Sequence, residues 1–415
     1  MRAMSSIPAK RTPLLAAVLA AAVVAAAGTA PVARAEPSPG ASQPSSGEGS
    51  VTLLPPLPVR LGEGQPCTGP SSQKATGAPW AVPVLGLSRA HRLADGSGVT
   101  VAVVDTGVAP GVPGLKGRVT AEGAAGQDCA GHGSFAAALI AGAVRPDSGV
   151  TGVAPGADIL ALKGTDDRGV PSPELVAAGI REAADRGADV IYVGHALRTG
   201  RAELTAAVEH AADKDALVVA PAAPDAVSRE EVEANGGQPP RGPYWPAAVP
   251  EALAVVEFGP DGLRQRDAPP SHDPDLAAPG ASMVSAGPDG DGHYIASGAS
   301  LAAACVAGAA ALVRERHPEL SAAEVGRRLT ATGYPANPKR VDPYAALSLT
   351  TAEMGEYAAP PAARVRPPAD PGPRVTALTV AAVSAGVVAL LAALAVVLPR
   401  GRARRWTPPG LPGSG

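Results

Sequence analysis

The sequence predicts an α/β fold: a doubly wound, mostly parallel sheet with helices on both faces, bracketed by an apolar segment near each end. Two observations carry this. Short runs rich in Val and Ile recur between residues 99 and 256, each of strand length, and helical stretches separate them. Strands that alternate with helices imply parallel pairing through crossover connections. Composition adds a third point. Aromatic residues make up only 3% of the 415, so the core must be built from Ala, Val and Leu.

The first segment is Arg2, Lys10 and Arg11 followed by an uninterrupted apolar run from Leu14 to Ala27 and then Ala33-Arg34-Ala35. A basic start, a short apolar centre and small residues before a cut describe a secretory signal, residues 1–35. An uncleaved anchor helix is the other reading. Residues 36–78, rich in Pro, Ser and Gly, form an N-terminal extension.

The folded domain spans residues 79–350. Val99 to Val104, mostly β-branched and ending at Asp105, suits a buried parallel strand. Ile159 to Leu162 is another. Ser172-Pro173 opens a helix, with Ser as cap and Pro at the first helical position, and Gly187 ends it after Arg186. Strand Val190 to Val193, a helix from Glu203 to Lys214, and strands Leu217 to Ala220 and Ala252 to Val256 follow. A long apolar helix reaches Arg316, and Ser321-Ala-Ala-Glu324 is a capping box that opens a last one.

Six prolines between 360 and 373 make residues 351–374 a stiff linker. Val375 to Leu398 contains no charge and no Pro. At 1.5 Å per residue it is long enough to cross a hydrocarbon core of ~30 Å. Arg400, Arg402, Arg404 and Arg405 follow it, against Arg374 alone before it. Positive charge stays inside, so residues 399–415 are expected in the cytoplasm and everything before 375 outside. A buried core helix is the competing reading, although such helices rarely lack a polar face.

The 35 basic and 38 acidic residues nearly balance, for a net charge of −3, which argues against nucleic acid as a partner. Three cysteines allow at most one internal bridge and one leftover thiol. No His-Glu-x-x-His or Cys-x-x-Cys occurs, so no metal cofactor is implied. Asp289-Gly-Asp-Gly292 lacks the third acidic ligand and the distant Glu of a calcium loop and reads as a turn.

Three places carry chemistry. Asp105 directly follows an apolar strand, at the carboxyl edge where sites form in such sheets. Alone it is as readily a turn or cap residue. His132 sits between Gly131 and Gly133 ahead of an Ala-rich helix; the glycines let the backbone pass a neighbour closely and leave the imidazole accessible. Alone it reads as a surface or structural His. Ser300 stands at the mouth of the long apolar helix, where free N–H groups and the dipole favour a reactive hydroxyl, although a plain N-cap is the simpler account. Taken together, Asp, then His, then Ser is the triad order of subtilisin. In such a triad Ser300 attacks a carbonyl, His132 takes and returns the proton, and Asp105 orients the imidazole.

On these residues, the stretch 79–350 resembles the subtilisin-like serine peptidases. Gly152-Val-Ala-Pro-Gly-Ala-Asp-Ile-Leu-Ala-Leu-Lys163 and Ala277-Ala-Pro-Gly280 look like further family segments. More narrowly the chain resembles the mycosins, membrane-anchored proteases of type VII secretion. Pro79-Trp80, Asp128-Cys129, Val341-Asp-Pro-Tyr-Ala-Ala346 and the C-terminal apolar segment carry that resemblance. It implies a peptide or protein substrate, contact with secretion-complex components and a disulfide tying the extension to the domain, with Cys67 and Cys129 as the matching pair. Secretion makes such a bridge possible; two unpaired thiols are the alternative. Cys305, inside the apolar helix, reads as a small buried hydrophobe.

The chain also departs from the family. In it an Asn after the corresponding strand donates to the oxyanion. Here the stretch is Val218-Val-Ala-Pro-Ala-Ala-Pro224-Asp225, and Pro224, which has no donor, is expected at the Asn position. Asn235 is the next Asn along. Tyr192-Val-Gly-His195 replaces a family run along the substrate cleft. Three readings follow: an active, membrane-tethered serine endopeptidase attached to type VII secretion; a weakly active or inactive protease fold serving as a structural subunit; and an ordinary surface subtilase, which the anchor and the lack of a long inhibitory pro-domain oppose.

Overall fold

The computed structural model describes residues 53–350 and 372–403. The expected signal segment 1–35, the start of the extension through 52, residues 351–371 of the linker and the tail from 404 lie outside the described residues. The strands are β1 (Thr100–Asp105), β2 (Val119–Ala121), β3 (Asp158–Lys163), β4 (Val190–Val193), β5 (Leu217–Pro221), β6 (Ala252–Phe258), β7 (Leu276–Pro279), β8 (Met283–Ala286), β9 (His293–Ala296) and β10 (Lys339–Arg340). Eight form one sheet in the order β10-β7-β6-β5-β4-β1-β3-β2. Every pairing in it is parallel. The strands β8 and β9 form a separate antiparallel pair.

The helices are α1 (Ala81–Val84), α2 (Leu87–Ala90), α3 (His132–Ala141), α4 (Pro173–Asp185), α5 (Arg201–Asp213), α6 (Arg229–Ala234), α7 (Ala299–Arg316), α8 (Ala322–Thr332) and α9 (Pro343–Ser348). Ser172 caps α4 by accepting from Leu175 N–H at 3.2 Å. The box of Ser321 and Glu324 caps α8 as expected.

Both faces of the sheet are covered, which is why its strands read as apolar runs without alternation. Side chains still alternate between faces with a period of two. Val101 and Val103 pack with Phe135 and Ile140 of α3 and Leu301 and Val306 of α7. Ala102 and Val104 pack with Val176 and Ile180 of α4 and Leu204 and Val208 of α5. Asp105 shares the parity of Val101 and Val103, so it is aimed at the α3 and α7 side. From β1 the chain builds outward to β3 and β2 on one flank and to β4 and beyond on the other. The carboxyl end of β1 therefore opens into the crevice where the strand order reverses, the usual place for a site in this architecture.

The described part of the extension is tied down along its length. Leu57 N–H donates to Ile295 O at 2.9 Å, and Leu61 N–H to Arg168 O at 2.8 Å. The Ser71 hydroxyl donates to His293 O at 2.9 Å. Cys67 and Cys129, 62 positions apart in the sequence, form a disulfide. Asp289 accepts from Gly290 N–H at 2.8 Å in a tight turn.

A last helix runs Gly372–Ala403. Its stretch Ala377–Ala403 has a mean hydropathy of 2.7 and is long and apolar enough to cross a membrane by length and composition. Its side chains are exposed almost throughout, unlike those of a core helix.

Candidate active site

Asp105, His132 and Ser300, far apart in sequence, meet at the crevice. His132 Nδ1 lies 2.9 and 2.8 Å from the two oxygens of Asp105. His132 Nε2 lies 3.0 Å from Ser300 Oγ. All three are buried.

Local sequence explains each placement. Asp105 ends β1, and its Oδ1 also accepts from Thr106 N–H at 2.6 Å. His132 is the first residue of α3, and Gly131 before it has φ of +93°, a left-handed turn that an L side chain resists. Asp128 fixes this turn: Oδ1 accepts from Gly131 N–H and Oδ2 from Ser134 N–H, each at 2.7 Å. Those are orphan donors of the first turn of α3. Burial pushes the Asp128 carboxyl up, partly offset by these hydrogen bonds. Ser300 is the second residue of α7.

Electrostatics follow the geometry. Burial pushes Asp105 up, but the neighbouring imidazoles of His132 and His195 outweigh it, and the carboxyl is held far below its usual range. Burial pulls His132 down; the carboxylates of Asp105 and Asp225 together push it well above its ordinary value of 6.5.

Three side chains complete the site that the sequence alone did not assign to it. Tyr192, fully buried on β4, donates its hydroxyl to Asp105 Oδ2 at 3.2 Å. His195 Nε2 stands 3.5 Å from Asp105 Oδ1, and its ring stacks on His132 with centroids 5.8 Å apart. Both belong to the run expected along the substrate cleft; the structure turns them onto the buried carboxylate instead. Gly194 between them makes the room, since a Cβ there would stand 1.9 Å from Asp105 Oδ2. The signal was available: a Tyr in an otherwise apolar, fully buried strand needs a partner for its hydroxyl.

Asp225 is the third, and it corrects the expectation for Pro224. The residue that reaches the nucleophile is Asp225, whose Oδ1 accepts from Ser300 N–H at 2.9 Å and whose Oδ2 accepts from Ser300 Oγ at 2.5 Å. The chain leaves β5 in line, with Ala222 N–H bonding Val255 O at 2.7 Å, and the Asp225 side chain turns in toward Ser300. The side chain that meets Ser300 here is therefore a carboxyl group. Asn235 makes a local hydrogen bond to Gln238 O at 3.0 Å on an exposed turn. Cys305 lies buried in α7, and burial pushes its thiol up to about 12.

Comparisons with known proteins agree with this geometry. Residues 96–358 match the family model described as the subtilase family, Peptidase S8. Mycosin-1 of Mycolicibacterium smegmatis is 32% identical over 380 residues, covering 76% of this chain and 84% of that protein. Mycosin-3 of Mycobacterium tuberculosis is 33% identical over 385 residues, covering 77% of this chain and 83% of that protein. The solved structure of MycP3 protease from the type VII (ESX-3) secretion system superposes with a TM-score of 0.58 at 29% identity, covering 72% of this chain and 98% of that one. An eight-stranded parallel sheet with a buried Asp, His and Ser at its crevice, matched along most of its length by these relatives, places the chain in the subtilase family of serine endopeptidases, where it belongs to the mycosins.

Proposed function

We propose that this chain is a membrane-tethered, extracytoplasmic endopeptidase that works with a type VII secretion apparatus and cuts peptide bonds with Ser300, His132 and Asp105. The observation that carries the reading is His132, whose two ring nitrogens bridge the Asp105 carboxylate and the Ser300 hydroxyl. Ser300 Oγ attacks the scissile carbonyl while His132 Nε2 receives its proton. Asp105 holds the Nδ1–H tautomer and stabilises the imidazolium. The proton then passes to the leaving amine, and water repeats the sequence on the acyl-enzyme. The helix Gly372–Ala403 supports the tether, and the arginines that follow residue 399 support a cytoplasmic C-terminus. The similar MycP3 protease comes from a type VII secretion system, which supports the same association here.

The test is a fluorophosphonate probe on the detergent-solubilised full chain. The wild type takes the label and Ser300→Ala does not. Equal labelling of both rejects the assignment of Ser300. Asp225 favours a second reading, a weakly active fold that serves as a structural subunit, because its carboxyl oxygens take up the Ser300 N–H and hydroxyl that catalysis would use. No labelling of the folded wild type at any pH selects it.

A further inference from the structure

Between Cys67 and Trp80 the extension is held by a side chain that can change its charge. His293, the first residue of β9, is buried, only 1% exposed. Ala75 N–H donates to its Nδ1 at 2.9 Å, and Ser148 Oγ lies 3.0 Å from its Nε2. The backbone around it joins the same segment: His293 N–H donates to Gln73 O at 2.7 Å, and Gly292 N–H to Ser71 O at 2.8 Å. On its other side the segment meets the loop after α3, where Gly149 N–H donates to Ala75 O at 3.0 Å. Gly149 lets the two stretches touch, since a Cβ there would stand 2.2 Å from the Gly77 carbonyl carbon. One imidazole thus sits where the extension, the β8–β9 hairpin and that loop converge.

A backbone N–H can only donate, so the Nδ1 that faces Ala75 carries no proton. His293 is therefore the neutral tautomer with its proton on Nε2, donated to Ser148 Oγ. That oxygen also accepts from Val150 N–H at 3.0 Å. An imidazolium is a donor at both nitrogens. Once protonated, Nδ1–H would face the Ala75 N–H, and a buried hydrogen bond would become a meeting of two donors. The charged groups around the ring are Lys74 on the extension, Arg145 and Asp147 on the loop after α3, and Asp291 two residues before it, whose carbonyl accepts from Arg145 at 3.0 Å. Asp147, which favours a cation on the ring, is already paired with Lys74 and, at 3.4 Å, with Arg145. Burial first, and then the charge of Arg145, pull His293 below its ordinary value of 6.5.

We propose that His293 is a latch worked by acid: neutral, it locks residues 71–77 of the extension onto the β8–β9 hairpin, and protonated, it releases them. The latch shares no atom with the triad and stands whether or not Ser300 is the nucleophile. Protons favour the released state, because His293 there regains its ordinary 6.5 and lies lower while latched. What the latch contributes is whole above that value and is lost as pH falls below it. The release is local. Cys67 stays bridged to Cys129, and Trp80 Nε1 donates to Ala281 O at 3.1 Å, so the segment opens as a loop fixed at both ends. Lys74, held against Asp147 while latched, then lies on an open stretch of chain, where proteases cut.

The experiment is amide hydrogen exchange of the detergent-solubilised full chain at pH 5.0 and 7.5, read by mass spectrometry and corrected for the intrinsic pH dependence of exchange. Peptides covering residues 71–77 report the latch, and peptides covering β1 report the stability of the domain. In the wild type the protection of 71–77 falls from pH 7.5 to 5.0 by as much as about 30-fold, the limit for one proton on a group of ordinary value 6.5. Protection of β1 does not change. His293→Asn sets an amide oxygen close to the place of Nδ1, so it accepts from Ala75 N–H but does not titrate, and 71–77 stay equally protected at both pH values. His293→Ala leaves 71–77 open at both, with β1 still protected. Wild-type protection of 71–77 that is the same at both pH values overturns the latch. So does a His293→Asn chain that repeats the wild-type fall, or a His293→Ala chain in which 71–77 stay protected. A fall that β1 shares also overturns it, since the whole domain would then be opening in acid.

Discussion

The Tyr192 hydroxyl donates to Asp105 Oδ2 at 3.2 Å, so the carboxylate that orients His132 is held by a second side chain within the sheet. Burial, with the carboxylates of Asp105 and Asp225 nearby, pushes the Tyr192 phenol well above its ordinary value of 10. It is an O–H donor at every working pH. Tyr192→Phe keeps the ring and removes this bond. A hydrogen bond to a buried charge contributes about 1.5–3 kcal/mol. Urea unfolding is expected to show a loss in that range, and peptide hydrolysis a fall of roughly tenfold in kcat with KM held, since Asp105 no longer sits squarely on Nδ1. An unchanged kcat removes Tyr192 from the site.

Gly194→Ala tests how tightly the same pocket is filled. The new methyl stands 1.9 Å from Asp105 Oδ2, within bonding range, so the carboxylate or the strand must move. Overpacking of this kind costs about 1–3 kcal/mol, and a shift of about 1 Å in a reacting group costs about 10²-fold in rate. Thermal melts and fluorophosphonate labelling are expected to fall together. A variant as active as wild type would mean that the pocket yields freely.

Thiol counting checks the covalent frame. The denatured, unreduced chain is expected to offer one reactive thiol, that of Cys305, because Cys67 and Cys129 are bridged. The native chain offers none, since Cys305 is buried and burial pushes its thiol up to about 12, so no thiolate is exposed. Three thiols in the unreduced chain would refute the bridge. Cys67→Ser is expected to lower stability by about 2–5 kcal/mol.

The Asp105–His132 pair gives stability a pH window. Asp105 is held below its ordinary 3.8, so what it contributes is present above that value and lost as acid protonates it. His132 is pushed above its ordinary 6.5, so what it contributes is present below that value and lost as pH rises through the folded-state pKa. Both are whole between about pH 4 and 6.5. The stability difference between wild type and His132→Ala in denaturant is expected to be largest there and to shrink by pH 9. A difference that grows toward alkaline pH reverses the sign and excludes the ion pair as its source.

Much of the site is legible in the sequence because each of its three ends has a local signature. Asp105 terminates a β-branched run, His132 stands between glycines, and Ser300 opens an apolar helix. Strand Val190–Val193 is found at its expected bounds, and the helix from Pro173 stops one residue short of the predicted Arg186. Edges are harder to read. The strand β6 runs on to Phe258, two residues past the predicted end, and two-residue β10 gives no periodic pattern at all. The disulfide partners are implied only by family likeness, since three cysteines allow three pairings; the 4.5 Å Cα separation of Cys67 and Cys129 singles one out. Asp225 lies one position beyond the expected residue. It sits in a loop, where no period relates sequence to direction, and assigning Pro224 requires a register that only the hydrogen bonds after β5 supply. Tyr192 reads as a cleft residue until its pairing with Val103 puts it on the face of Asp105, and His195 lies past the end of β4, where no parity assigns a direction.

The sulfur link between the extension and the turn before His132 has a consequence for proteolytic maturation. A cut between residues 68 and 128 severs the main chain yet leaves both fragments joined through Cys67 and Cys129. Trimming there creates a two-chain enzyme rather than a shorter one. Only a reductant then frees the older end, and on a gel the two forms part company solely after thiols are restored.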